Sequence, residues 1–181
     1  ITYIYGRQSC DTRSMEGGDI DTGNARFGGQ EAMIIFENVF IPNELIFMNG
    51  ETEFASMLVE RFTCYHRRSY VCKSGVGDVL VGAAAQIAEY NGVEKASHIK
   101  DKLVEMTHLN ETIYATGIAS SFQSKPTDSG AYICDDMIAN VCKHHVTKMP
   151  YEIARLAQDL AGGMVVTMPS EKDFKSDAVG E

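Results

Sequence analysis

Positive charge is what this chain has little of: 16 Lys and Arg stand against 25 Asp and Glu, a net charge of -9 over 181 residues. With the cations scattered and no basic stripe to neutralise a phosphate backbone, nucleic-acid binding is not expected. No uninterrupted apolar run approaches the length of a bilayer span. The start also lacks a basic stretch leading into an apolar core, so neither membrane insertion nor export is signalled and the expected location is the cytoplasm. The five cysteines, Cys10, Cys64, Cys72, Cys134 and Cys142, are odd in number, widely spaced and free of any C-x-x-C pair. That pattern predicts reduced thiols rather than a disulfide framework, and it argues against a metal site built wholly within the chain. Internal repeats and low-complexity tracts are also missing. What is present, 44% hydrophobic and 23% charged residues, is ordinary for a globular protein and long enough for one real core.

Two halves differ in hydrophobic period. Through residue 50 the pattern is extended: Ile1 to Tyr5 alternates around β-branched and aromatic residues, Ala32 to Phe40 is an apolar run, and Gly17-Gly18 and Gly28-Gly29 punctuate them. Two or three strands are predicted. Beyond Pro42, from about Glu51, the period becomes about 3.6 and four helices are predicted. The first runs from Glu51 to Tyr70 with Phe54, Leu58 and Phe62 on one face, and the second from Gly77 to Tyr90 with Asn91-Gly92 as its stop. The third extends from Ser97 to Phe122, capped by Ser97 and striped by Ile99, Leu103, Met106 and Ile113. A turn or loop follows at Lys125-Pro126-Thr127-Asp128-Ser129-Gly130. The fourth helix begins near Tyr132 and meets Met149-Pro150, where proline opens a new segment that Gly162-Gly163 ends. The predicted fold class is α+β, mostly α: a sheet-like part over residues 1–50, then an antiparallel helix bundle over residues 51–181.

Chemistry concentrates in Tyr65-His66-Arg67-Arg68-Ser69-Tyr70-Val71-Cys72-Lys73-Ser74-Gly75-Val76-Gly77-Asp78. Helical spacing puts His66, Tyr70 and Lys73 along one face. Cys72 falls about 120° around a straight helix from His66, so it reaches the same site only if the helix breaks near Gly75. Each residue also has a plainer reading: His66 as a surface or capping residue beside two arginines, Cys72 as a small hydrophobe, Tyr70 as a core residue with a wet hydroxyl, Lys73 as a dipole-complementing cation. Glu31, before an apolar strand, is either a solvated carboxylate or a site residue. Gln158 with Gly162-Gly163 is either a helix stop or a place for close backbone approach. His144-His145 point about 100° apart and are read as structural, as are His98 and His108.

Several blocks together carry a likeness to a known family: the run above, Ile1-Thr2-Tyr3-Ile4-Tyr5-Gly6-Arg7-Gln8, Phe27-Gly28-Gly29-Gln30-Glu31-Ala32, Asn38-Val39-Phe40-Ile41-Pro42, Glu105-Met106-Thr107-His108-Leu109-Asn110-Glu111-Thr112, Tyr151-Glu152-Ile153-Ala154-Arg155-Leu156 and Met168-Pro169-Ser170-Glu171. The chain resembles the 4-hydroxybutyryl-CoA dehydratases. These are flavin and iron-sulfur enzymes of anaerobic fermentation, also vinylacetyl-CoA delta-isomerases, related to the 4-hydroxyphenylacetate hydroxylase flavoproteins. The likeness spans nearly the whole chain. It implies the end of a central β domain followed by part of a C-terminal helical domain of acyl-CoA-dehydrogenase type. It also implies an internal or subunit-derived segment, with two cluster cysteines expected upstream of Ile1.

By the same resemblance, His66 and Cys72 are expected to bind a 4Fe-4S cluster. His66, Tyr70, Lys73 and Glu31 are expected to act on an acyl-CoA substrate, and Gln158, Gly162 and Gly163 to reach an FAD. The partners implied are the rest of the polypeptide and further copies in a homotetramer. One departure stands out, since the family places one residue more between this histidine and cysteine, usually within a Gly-Gly pair, where this chain has Val71. Two other classes fit the pattern: a cluster-free flavin-dependent aromatic hydroxylase of the same fold, and a non-catalytic helical subunit.

Overall fold

Residues 1–6, 18–20 and 31–180 are described by a computed structural model, and they form an α+β fold that is mostly α. Arg7, Gln8, Cys10, Gly17 and Phe27-Gly28-Gly29-Gln30 lie outside the described residues. The chain divides into two compact units, one made of Ile1–Gly50 with Val166–Glu181 and the other of Glu51–Val165. The helical domain read from sequence as residues 51–181 thus gives its last stretch, Val166–Glu181, to the first unit.

In the first unit, β1 (Thr2–Tyr5) pairs antiparallel with β2 (Ala32–Ile35), Thr2 opposite Ile35 and Tyr5 opposite Ala32. β2 is shorter than its apolar run, which continues to an Asn38 that takes a left-handed φ of 50°. The block around Ser170 has a local explanation. Ser170 and Asp173 form a reciprocal capping box on the short helix Glu171–Phe174, and the Glu171 carboxylate accepts the backbone N–H groups of Asp19 and Ile20 at 2.9 and 2.8 Å. A carboxylate receiving two amides fixes its loop more firmly than a surface ion pair does.

The second unit is a helical bundle. In chain order it holds α1 (Ala55–Ser69), a 3₁₀ turn (Tyr70–Cys72), α2 (Lys73–Tyr90), α3 (Ser97–Phe122), α4 (Asp136–Val146) and α5 (Met149–Ala161). Its main core joins Ala84 and Ala88 of α2, Ile99 and Met106 of α3, and Ile153, Leu156 and Leu160 of α5. Alanines on α2 let the helices approach closely, while Met106, Ile113 and Ile153 are fully buried, each contributing roughly 1.5–3 kcal/mol. Pro150 occupies the first turn of α5, where a missing N–H costs nothing.

Two expectations need correction. Ser97 does not cap α3: Ala96 holds that position without a side-chain bond, whereas Asp135 does cap α4, accepting from Ile138 N at 2.8 Å. The turn read at residues 125–130 lies in a small hairpin, with β3 (Lys125–Pro126) on β4 (Tyr132–Ile133), because Thr127 N and Oγ1 both bond Ala131 O and close it. Phe54, Leu58 and Phe62 share one face, which is exposed, at 52, 56 and 63%, since α1 turns Cys64 inward. The second correction is that the first two predicted helices run on through the 3₁₀ turn. Thr52–Tyr90 is therefore, among the described residues, one helical run long and apolar enough by composition to cross a bilayer. Leu80, Val81, Ala84 and Ala88 of that run pack on the core.

Gly77 is buried where a Cβ would collide with the Asn110 side chain, and Asn110 Nδ2 donates to Asp78 Oδ1 at 2.7 Å. Gly75, two residues earlier, has open space around its missing Cβ. Gly77→Ala is therefore expected to cost about 1–3 kcal/mol by overpacking. Gly75→Ala is expected to be neutral or to stabilise by up to about 1 kcal/mol through helix propensity. Thermal unfolding of the two variants checks the contrast.

Candidate active site on the α1–α2 joint

The end of α1 is fastened by its arginines. Arg68 Nε donates to Ser121 Oγ on α3 at 2.6 Å, and Arg67 donates to Asn140 Oδ1 on α4 at 2.7 Å. Tyr65 adds a bond from its hydroxyl to the Tyr132 carbonyl. With these side chains bonded to α3, α4 and the Tyr132 carbonyl, His66 beside them is left exposed.

The His66 ring stacks on Phe62, with centroids 5.5 Å apart and planes 14° apart, and meets Tyr70 edge-on at 4.9 Å. A stacked ring on one side and a perpendicular ring on the other restrict the imidazole without using either nitrogen. Tyr70 is half-buried beneath the Lys143 ammonium, which lies 3.2 Å from the ring centroid in cation–π contact. Lys143 sits on α4, and nothing in the sequence links it to Tyr70. Lys73 follows on the same run, exposed, as the first residue of α2.

The helix does not break at Gly75, which lies inside α2. It tightens earlier, at Tyr70–Cys72, where Val71 packs against Gly117 of α3 so closely that a Cβ on Gly117 would collide with it. This turn changes the position of Cys72. Two 3₁₀ steps of about 120° in place of two α steps bring Cys72 to about 80° around the axis from His66, against about 120° for a straight helix. Cys72 is a free, exposed thiol.

Among the described residues, no group of three or more His, Cys, Asp or Glu is arranged to hold a metal ion. His66 and Cys72 are thus at most a pair of donors. Imidazole and thiolate are both good iron ligands, and both side chains are exposed.

The remaining named residues belong to other elements. Glu31 precedes β2 in the first unit, exposed, its carbonyl accepting from Gly6 N at 2.7 Å. Gln158 is exposed on α5, and Gly162 ends that helix with φ 63°, its N–H bonding Gln158 O at 2.9 Å. Gly163 lacks a positive φ, and nothing stands within 4 Å of where its Cβ would be. The chain itself therefore demands glycine at 162 but not at 163.

Other titratable groups are shifted by their surroundings. Burial first, then the neighbouring Cys134, pushes the Cys64 thiol up to about 12, and burial also raises Cys142. Burial, then the neighbouring His144, holds His145 below the usual imidazole range.

Comparison with known proteins places these features in a wider frame. The family described as 4-hydroxyphenylacetate 3-hydroxylase C terminal matches residues 55–181. A 4-hydroxybutyryl-CoA dehydratase/vinylacetyl-CoA-Δ-isomerase of Clostridium aminobutyricum is 65% identical over 97% of this chain, which covers 36% of that protein. An oxygenase component of 4-hydroxyphenylacetate 3-monooxygenase from Thermus thermophilus is 21% identical over 84% of the chain and 32% of its own length. The solved structure of an oxygen-tolerant archaeal 4-hydroxybutyryl-CoA dehydratase from N. maritimus superposes with a TM-score of 0.92 at 74% identity, covering 99% of this chain and 36% of that one. The chain therefore spans about a third of the length of the relatives it matches.

The Gly162-Gly163 geometry separates two substitutions. Gly162→Ala is expected to destabilise by about 1–2 kcal/mol, the cost of a left-handed residue with a side chain. Gly163→Ala is expected to change stability by less than about 0.5 kcal/mol. Denaturant unfolding of both variants measures the difference.

Proposed function

This chain belongs to the 4-hydroxyphenylacetate 3-hydroxylase C-terminal family, and from that premise we propose that it is a segment of a 4-hydroxybutyryl-CoA dehydratase with vinylacetyl-CoA Δ-isomerase activity. It contributes the end of a central β domain and the first part of a helical domain of acyl-CoA-dehydrogenase type. The observation that carries this reading is the 65% identity, over nearly the whole chain, to a protein of that name. The His66–Tyr70–Lys73 face supports it chemically.

Converting 4-hydroxybutyryl-CoA to crotonyl-CoA requires removing a hydrogen from a β carbon that no neighbouring carbonyl acidifies. FAD and a 4Fe-4S cluster, when bound, supply one-electron redox capacity and an iron able to take the hydroxyl. His66 and Cys72 would be this chain's ligands to the cluster, and Gln158 with Gly162 and Gly163 its contacts to the flavin. Everything else falls to side chains. Released from iron, His66, its ring held between Phe62 and Tyr70, would be free to take the proton from the α carbon. The Tyr70 hydroxyl and the Lys73 ammonium donate to the thioester carbonyl oxygen as negative charge develops there. Lys143 holds the Tyr70 ring in place. Glu31 would be a further carboxylate of the complete enzyme's active site.

The stripe of Phe54, Leu58 and Phe62 leads directly to His66 at four-residue spacing and is exposed among the described residues. The rest of the same polypeptide is its natural cover, and covering it excludes water from the site. In this proposal the complete enzyme is a cytoplasmic homotetramer that acts on an acyl-CoA and engages neither nucleic acid nor membrane.

Full-length protein purified without oxygen is expected to carry about four iron and four sulfide per polypeptide. Absence of both would favour a cluster-free aromatic hydroxylase, the activity named for the Thermus relative, and a colourless protein would favour a non-catalytic subunit. His66→Ala should lower iron content and reduce kcat roughly 10²–10⁴-fold. Gly163→Ala should lower flavin occupancy while leaving stability nearly unchanged. The 181 residues alone are expected to show no dehydratase activity, so turnover by them would refute the division of the site.

A further inference from the structure

Cys64 and Cys134 stand 70 residues apart in sequence, yet their sulfur atoms are 3.2 Å apart, and Cys64 Sγ also donates to the Cys134 carbonyl at 3.2 Å. Both side chains are buried, at 2 and 8% exposure, in a small cluster with Ala139 and Ile133. A cavity of about 190 Å³ opens beside them, lined by both cysteines with Glu60, Gln123, Lys125 and Asp135. We propose that this pair is a redox modification site, closing to a reversible disulfide when the protein meets hydrogen peroxide. A disulfide needs sulfurs about 2.05 Å apart, so an approach of little more than about 1 Å suffices. The cavity is many times the volume one water-sized molecule requires, leaving room for the oxidant.

The chemistry balances in two steps. One thiol sulfur attacks a peroxide oxygen, breaking the O–O bond and giving a sulfenic acid and one water. The other thiol then attacks that sulfur, forming S–S and releasing the hydroxyl with a proton as a second water. Two electrons pass from the sulfurs to the peroxide. The bond ties α1, two residues before His66, to the segment between β4 and the cap of α4. Cys142 is buried on α4 away from this pair, with its sulfur 3.9 Å from the Ile113 carbonyl, and is not part of it.

The test uses the intact full-length enzyme. Protein is treated with hydrogen peroxide, remaining thiols are blocked with iodoacetamide, and peptides are mapped by mass spectrometry before and after dithiothreitol. A Cys64–Cys134 cross-linked peptide, two hydrogens lighter than its reduced parts, is expected. It should disappear with dithiothreitol and be lost in Cys134→Ser, but persist in Cys142→Ser. Recovery of Cys64 and Cys134 as separately blocked thiols, as sulfinic or sulfonic acids, or in bridges to other cysteines would overturn the assignment. Should Cys134→Ser fail to fold, the wild-type map alone decides the matter.

Discussion

One close contact governs the arrangement of the second unit: Val71 seated on Gly117. Only a residue without a side chain lets the joint between α1 and α2 come this near to α3, and the joint answers by tightening to a 3₁₀ turn. That single adjustment rotates everything after Tyr70 relative to everything before it. Arg67 and Arg68 then lock the preceding turn onto α4 and α3, so the orientation of His66 follows from packing on the far side of its helix. Moving the contact would move the imidazole, the phenol and the thiol together.

How far this was legible depends on whether a feature is local. The bounds of α3 could be read because Ile99, Met106 and Ile113 repeat with the helix and are in fact buried, with Asn91-Gly92 ending the helix before it. The adjacency of His66 and Tyr70 was legible for the same reason, as a matter of spacing. The break in the helix was not. Glycine is the local signal for a break, and Gly75 has it, but the break sits where a valine meets a glycine of another helix, and periodicity carries no trace of such a pair. The outward turn of Phe54, Leu58 and Phe62 was hidden likewise, because the inward face of α1 is chosen by partners of Cys64, Arg67 and Arg68 that lie far along the chain. Lys143 over Tyr70 left no signal at all.

The candidate site is accordingly half built by this chain. Its side chains are prepared on their inner side by ring contacts and arginine anchors, and left open on their outer side, where apolar rings surround an unused imidazole. Buried core and exposed site differ in kind: the first uses alanine and small thiols to bring helices close, the second leaves large aromatic surface exposed among the described residues. Such surface is costly to leave in water, which is why a covering body is part of the proposed enzyme.

Thr52–Tyr90 runs for 39 residues, a length of roughly 58 Å at helical rise. It behaves as two stiff arms meeting at three residues, with imidazole on one arm and ammonium on the other. Because α-helices resist bending, any change in the span between those two groups is confined to the elbow. The reach of the site is thus a mechanical property of Tyr70, Val71 and Cys72, adjustable there and nearly nowhere else.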